Sequence, residues 1–169
     1  MTDKPNQRKG STSNTQAGKD FEKKIYEFLN INNIFVEEQL KIKIGISAKK
    51  EHAFDFGNDN ILVECKSHTW TETLKTPSGK LKNWSEAMFI FYLTPKKYKK
   101  LFFVEESYNQ KYKMTLLEYF IEHYSYLIPS DVILIDFYTK EENYEVYMYD
   151  KLNKCHMRQN KEELWVCLK

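Results

Sequence analysis

From position 54 to 66 the chain reads Phe-Asp-Phe-Gly-Asn-Asp-Asn-Ile-Leu-Val-Glu-Cys-Lys. In a strand alternate side chains share a face, so Ile61, Val63 and Cys65 turn one way while Leu62, Glu64 and Lys66 turn the other. The turn Gly57-Asn58-Asp59-Asn60 predicts a hairpin. If it pairs Phe56 with Ile61, Asp55 faces Leu62 and is the diagonal neighbour of Glu64, about 7–8 Å away at Cβ. Two carboxylates so spaced can converge on one hard cation, because Mg²⁺ takes oxygen ligands and is held by one or two carboxylates with waters and phosphate. Lys66, one pleat further, is placed to orient or deprotonate a water. That set is sufficient to hydrolyse a phosphodiester. The same residues also read as a turn-flanking acid and an exposed acid–lysine pair on a half-buried strand, and residue types alone leave both readings open.

Asp55, eight intervening residues and then Glu64-Cys65-Lys66 resemble the signature of the PD-(D/E)xK nuclease superfamily, the restriction-endonuclease-like fold. An N-terminal helix there often carries a further acid. Gly18-Lys19-Asp20-Phe21-Glu22 looks like that element, with Glu22 about 100° around the helix from Phe21. The continuation Glu64-Cys65-Lys66-Ser67-His68-Thr69-Trp70-Thr71-Glu72, then Pro77-Ser78-Gly79-Lys80 and Asn83-Trp84-Ser85-Glu86-Ala87-Met88, resembles a run of uncharacterised or restriction-type members. Phe54 stands where the family has its proline, and no catalytic group is lost with it. The resemblance spans residues 17–104. It implies Asp55 and Glu64 as metal ligands with the Cys65 carbonyl as a third oxygen, Lys66 positioning the attacking water, and Glu22 as a ligand or a partner of one. It implies Mg²⁺, replaceable by Mn²⁺, with DNA as substrate and no organic cofactor. The expected activity is that of a homodimeric type II-like restriction endonuclease; a repair or junction-resolving nuclease and an inactive DNA-binding protein of the same fold are the alternatives.

These residues need elements to hold them. Residues 1–15 are polar and predict a disordered arm; residues 16–169 form one domain, with a core over 17–104 and a C-terminal part over 105–169. Phe21, Ile25, Phe28 and Leu29 recur at helical spacing over 16–30. Strands follow at 40–46, 53–56 and 61–66, then a polar loop at 71–83, a helix over 85–93 ending before Pro95, and a strand at 101–104. An amphipathic helix at 116–127 precedes an apolar strand at 132–137, buried on both faces. Residues 144–149 and 164–168 read as edge strands. The order predicts an α/β (α+β) fold, a mixed central sheet flanked by helices.

Charge is unevenly spread. The net charge is +2, but residues 41–100 carry twelve basic against six acidic side chains, and residues 101–169 carry eight against twelve. A basic middle third interleaved with Trp70 and Trp84 suits a phosphate-rich partner, or is simply a solvated lysine-rich face. Lys49, Lys50, His68, Lys75, Lys80, Lys82 and Asn83 are the candidate DNA contacts, and His52 also flanks the hairpin. The 41% apolar and 30% charged composition fits a globular domain. No apolar run approaches the ~20 residues of a membrane span, and the first twenty residues lack the apolar segment of a secretory signal; the expected compartment is the cytoplasm. Cys65, Cys155 and Cys167 form no CxxC pair, which predicts reduced thiols and no zinc site, Cys155-His156 included.

Overall fold

The computed structural model describes residues 14–71, 73 and 75–168. The arm expected at 1–15 lies outside the described residues except for Asn14 and Thr15, which already belong to the first helix.

Helix α1 (Asn14–Ile31) leads into the antiparallel run β1 (Glu37–Ile44), β2 (Lys50–Gly57) and β3 (Ile61–Lys66). Helix α2 (Ser78–Leu93) then crosses to β4 (Lys99–Glu105), which lies parallel to β3. A two-stranded ribbon, β5 (Tyr108–Asn109) with β6 (Met114–Thr115), precedes α3 (Leu116–Tyr124) and a 3₁₀ turn at Ser125–Leu127. Strand β7 (Val132–Tyr138) pairs parallel with β4, and β8 (Asn143–Asp150), β9 (Cys155–Gln159) and α4 (Lys161–Leu168) close the chain. The seven strands stand in the order β1-β2-β3-β4-β7-β8-β9. The expected mixed sheet flanked by helices is what forms.

Parallel strands need crossovers that cover their faces, so β3, β4 and β7 are buried on both sides. Phe21, Ile25 and Leu29 of α1, with Leu164 of α4, pack on Val63, Cys65, Leu101, Phe103, Ile133 and Ile135. Leu81, Trp84, Met88 and Phe91 of α2, with Leu116, Leu117 and Phe120 of α3, pack on Leu62, Phe102, Val104, Val132 and Leu134. The result is three layers, helix on sheet on helix. Thr115 and Glu118 start α3 as a reciprocal capping box.

Four expectations fail for identifiable reasons. Helix α2 begins at Ser78, so Lys80, Lys82 and Asn83 are helical and not in a loop; the Leu81, Trp84, Met88, Phe91 spacing carries the helix back across the Pro77-Ser78-Gly79 turn signal. Residues 164–168 are helix α4 and not a strand, opened by Asn160, whose carbonyl accepts the Glu163 amide. The edge is instead β9, and β8 is an inner strand. The β2–β3 hairpin pairs Phe56 with Val63, two residues from the expected register. Asn58 causes that shift: its backbone N–H donates to the Ile61 carbonyl at 2.9 Å, and its side-chain oxygen accepts the Asn60 and Ile61 amides. A two-residue shift preserves strand parity, so Glu64 and Lys66 keep their face.

Among the described residues no helix is long and apolar enough to cross a membrane. The three cysteines are free thiols.

Candidate active site at the end of the third strand

Strand β2 does not keep one face throughout. Phe56 meets Tyr26 of α1 at 5.6 Å between ring centroids, whereas Phe54 stacks on Phe91 of α2 at 5.6 Å. Residues two apart in a regular strand share a face, so the chain changes face at Asp55. Opposite it in β1, Gln39 has φ +54°, and the β1–β2 ladder skips the 39/55 pair. Asp55 therefore directs its carboxylate along the sheet toward β3, where Oδ2 accepts the Cys65 backbone N–H at 2.7 Å. The side chain takes the place of a ladder bond where β2 and β3 part.

Glu64, 6% exposed, projects on the α2 side of β3. Both of its oxygens are engaged: the Lys66 ammonium donates to Oε2 at 2.9 Å, and His52 Nε2 lies 3.3 Å from Oε1. Burial alone would raise the Glu64 carboxyl, but the His52 hydrogen bond and Lys66 outweigh it and hold it below the usual range. Burial works against the Lys66 ammonium too, yet Glu64 and Asp55 keep it above the ordinary lysine range. Asp55 goes the other way, pushed up to about 7 by burial and by the Glu64 charge, against the Cys65 amide and Lys66. On α1, half-buried Glu22 is raised by burial; Lys66 lowers it and Glu64 raises it, which places it in the same electrostatic neighbourhood.

Glu64, Lys66 and His52 line a cleft of about 780 Å³ between the start of α1 and the flank of α2, with Gly18, His68, Lys80 and Asn83 on its wall. Cys65 contributes to its wall, while its thiol packs under α1 and is raised by burial. His68 Nδ1 accepts the Trp84 indole N–H at 2.8 Å, which ties the loop after β3 to α2. Lys80 Nζ reaches the Thr69 carbonyl at 3.4 Å. Thus Glu22, Asp55, Glu64 and Lys66 come together, and His68, Lys80 and Asn83 join them as cleft wall. Lys82 is exposed on α2 outside the lining, Lys75 closes a loop with Thr71, and Lys49 and Lys50 are exposed at the β1–β2 turn, where Lys49 bonds the Gly45 carbonyl. The sequence marks His52 only as a residue flanking the hairpin; its position three residues before Asp55 is the signal, but its aim at Glu64 depends on the face change at Asp55.

Lys66 acts to lower the carboxyls of Glu22, Asp55 and Glu64 alike, so one lysine serves three carboxylates. Among the described residues no group of three or more His, Cys, Asp or Glu side chains is placed to hold a metal ion; a Mg²⁺ site, which keeps several waters, needs only one or two carboxylates, and Asp55 and Glu64 are the pair available. No protein-family model, curated protein or solved structure matches this chain.

Proposed function

We propose that this protein is a divalent-metal-dependent DNA endonuclease with a restriction-endonuclease-like core of the PD-(D/E)xK type, acting as a type II-like restriction enzyme and as a homodimer. The observation that carries the reading is the face change in β2, which brings Asp55 to the Cys65 amide beside the Glu64–Lys66 pair, and that pair lines a cleft with Lys80 and Asn83 on its wall. Asp55 and Glu64 would hold Mg²⁺ or Mn²⁺, with the Cys65 carbonyl as a further oxygen and Glu22 supporting from α1. When bound, the metal polarises a phosphoryl oxygen and offsets the charge of the transition state.

The residues do the rest. Lys66, held charged by Glu64 and Asp55, donates hydrogen bonds to an attacking water and to a phosphate oxygen; a lysine so stabilised orients the water without taking its proton. Its contact with Glu64 fixes the ammonium beside the ligands. Lys80, on the cleft wall, supplies sequence-independent attraction for the backbone.

Cleavage of mixed-sequence plasmid and phage DNA in Mg²⁺ tests the reading. Lys66→Ala and Asp55→Ala are each expected to lower the rate by about a hundredfold or more. Discrete fragments identify a site-specific enzyme, a smear or a preference for branched DNA a repair-type one. Absence of cutting with either metal, or variants that cut as well as the parent, sinks the assignment in favour of a DNA-binding module.

A further inference from the structure

His52 lines the cleft and its side chain is 29% exposed there, yet the hydrolytic scheme gives it no role. Its ring is held edge-on against Phe54 at 4.8 Å, a contact that restricts how the imidazole turns. An ionised carboxylate can only accept, so at 3.3 Å from Glu64 Oε1 the Nε2 atom carries the proton. Glu64 is thereby gripped on both oxygens, by two very different side chains. Lys66 sits on a flexible four-carbon stem, and in hydrolysis its hydrogen bonds are shared with water and phosphate. The imidazole, short and wedged by Phe54, keeps its hold when the lysine is drawn to substrate.

We propose that His52 is a positioning residue that fixes the Glu64 carboxylate in its metal-binding orientation, an inference that rests on reading Asp55 and Glu64 as metal ligands. Hydrogen-bonded partners of metal ligands are worth about 10- to 100-fold in metal affinity when removed. The substitution series follows from reach: glutamine can place an N–H near Nε2, whereas asparagine and leucine cannot.

The experiment titrates DNA-free protein with Mn²⁺, followed by electron paramagnetic resonance, and measures cleavage against Mn²⁺ concentration for the same proteins. His52→Leu and His52→Asn are expected to weaken Mn²⁺ binding about 10- to 100-fold, with kcat at saturating Mn²⁺ within a few-fold of the parent, and His52→Gln to restore most of the affinity. Leucine and asparagine variants that bind Mn²⁺ like the parent overturn the proposal. So does a glutamine variant no better than asparagine, a comparison that stands even if leucine at 52 prevents folding. Asp55→Asn separates the two levels: Mn²⁺ bound by the parent and lost in Asp55→Asn upholds the metal site whatever His52 does, and a parent that binds no Mn²⁺ removes both.

Discussion

Asp55, half-buried, and Asp136, fully buried, are both acids near the ends of sheet strands, and both carboxyls are pushed up to about 7, chiefly by burial. They stand in different company. Asp55 has an amide to accept from and a lysine nearby, and its neighbours Glu64 and Lys66 line a cleft. Asp136 is fully buried on β7, away from any cation among the described residues. The Thr115 hydroxyl eases its burial, while Glu106, Glu118 and Glu145 aggravate it. Asp136 stands level with the Lys66 end of β3, since Lys66, Val104, Asp136 and Glu145 occupy matching positions across β3, β4, β7 and β8. At 4.7–4.9 Å per strand, Lys66 and Asp136 are roughly 10 Å apart at Cα. A perturbed acid therefore does not define a site. What sets Asp55 apart is access together with a cationic partner that can be shared with a substrate.

The largest effect expected from this contrast is catalytic. Lys66→Ala should cost about a hundredfold or more in cleavage, whereas Asp136→Asn should leave kcat within a few-fold of the parent. Plasmid cleavage by the two variants side by side checks it, and a comparable loss in Asp136→Asn would place the sealed acid in the machinery.

Next in size is stability. The Asp136 carboxyl has an ordinary value of 3.8 and a folded value of about 7. Below about pH 4 both states hold the proton and there is no penalty. As the pH rises toward 7 the unfolded chain gives up a proton that the folded one keeps, so stability falls, by up to about 1.4 kcal/mol per pH unit. Asp136→Asn removes that slope, and urea unfolding at pH 5 and pH 8 should show the variant gaining on the parent by a few kcal/mol at the higher pH. Equal pH dependence in the two proteins would mean that Asp136 is ionised in the fold.

The contrast also explains what the sequence could and could not reveal. Glu64 and Lys66 were legible as a pair because parity along a strand survives a two-residue register error, whereas the register itself turned on the side chain of Asn58. The aim of Asp55 was not legible: it depends on a change of face in β2 opposite Gln39, and no propensity marks either residue. Asp136 sat in plain view as the one acid in Val132–Phe137, a stretch otherwise apolar and read only as a strand buried on both faces. Helix α4 is hidden because Leu164-Trp165-Val166-Cys167-Leu168 has the composition of a strand, and only Asn160 ahead of it signals a helix start.

Metal sharpens the comparison further. If Asp55 and Glu64 bind a divalent cation, Mg²⁺ at a hundred times its Kd should stabilise the parent by about 2.7 kcal/mol. Asp136→Asn should retain that increment and Asp55→Asn should lose it, in thermal melts with and without Mg²⁺. An increment that survives Asp55→Asn but vanishes in Asp136→Asn would exchange the roles of the two acids.

The smallest effect lies at the cleft wall. Lys80 stands on the first turn of α2 facing the cleft, whereas Lys82, two residues on, is exposed outside the lining. A lysine that neutralises one phosphate releases about one counterion, so removing it flattens the dependence of log affinity on log salt by about 1 and weakens all sequences alike. Lys80→Ala should show that change in DNA binding measured by fluorescence anisotropy across a salt series in Ca²⁺, and Lys82→Ala should leave the slope unchanged. Equal changes in both would mean that DNA is drawn by the whole basic flank of α2 and not held in the cleft beside Asp55, and the distinction between an accessible acid and a sealed one would then lose its bearing on substrate.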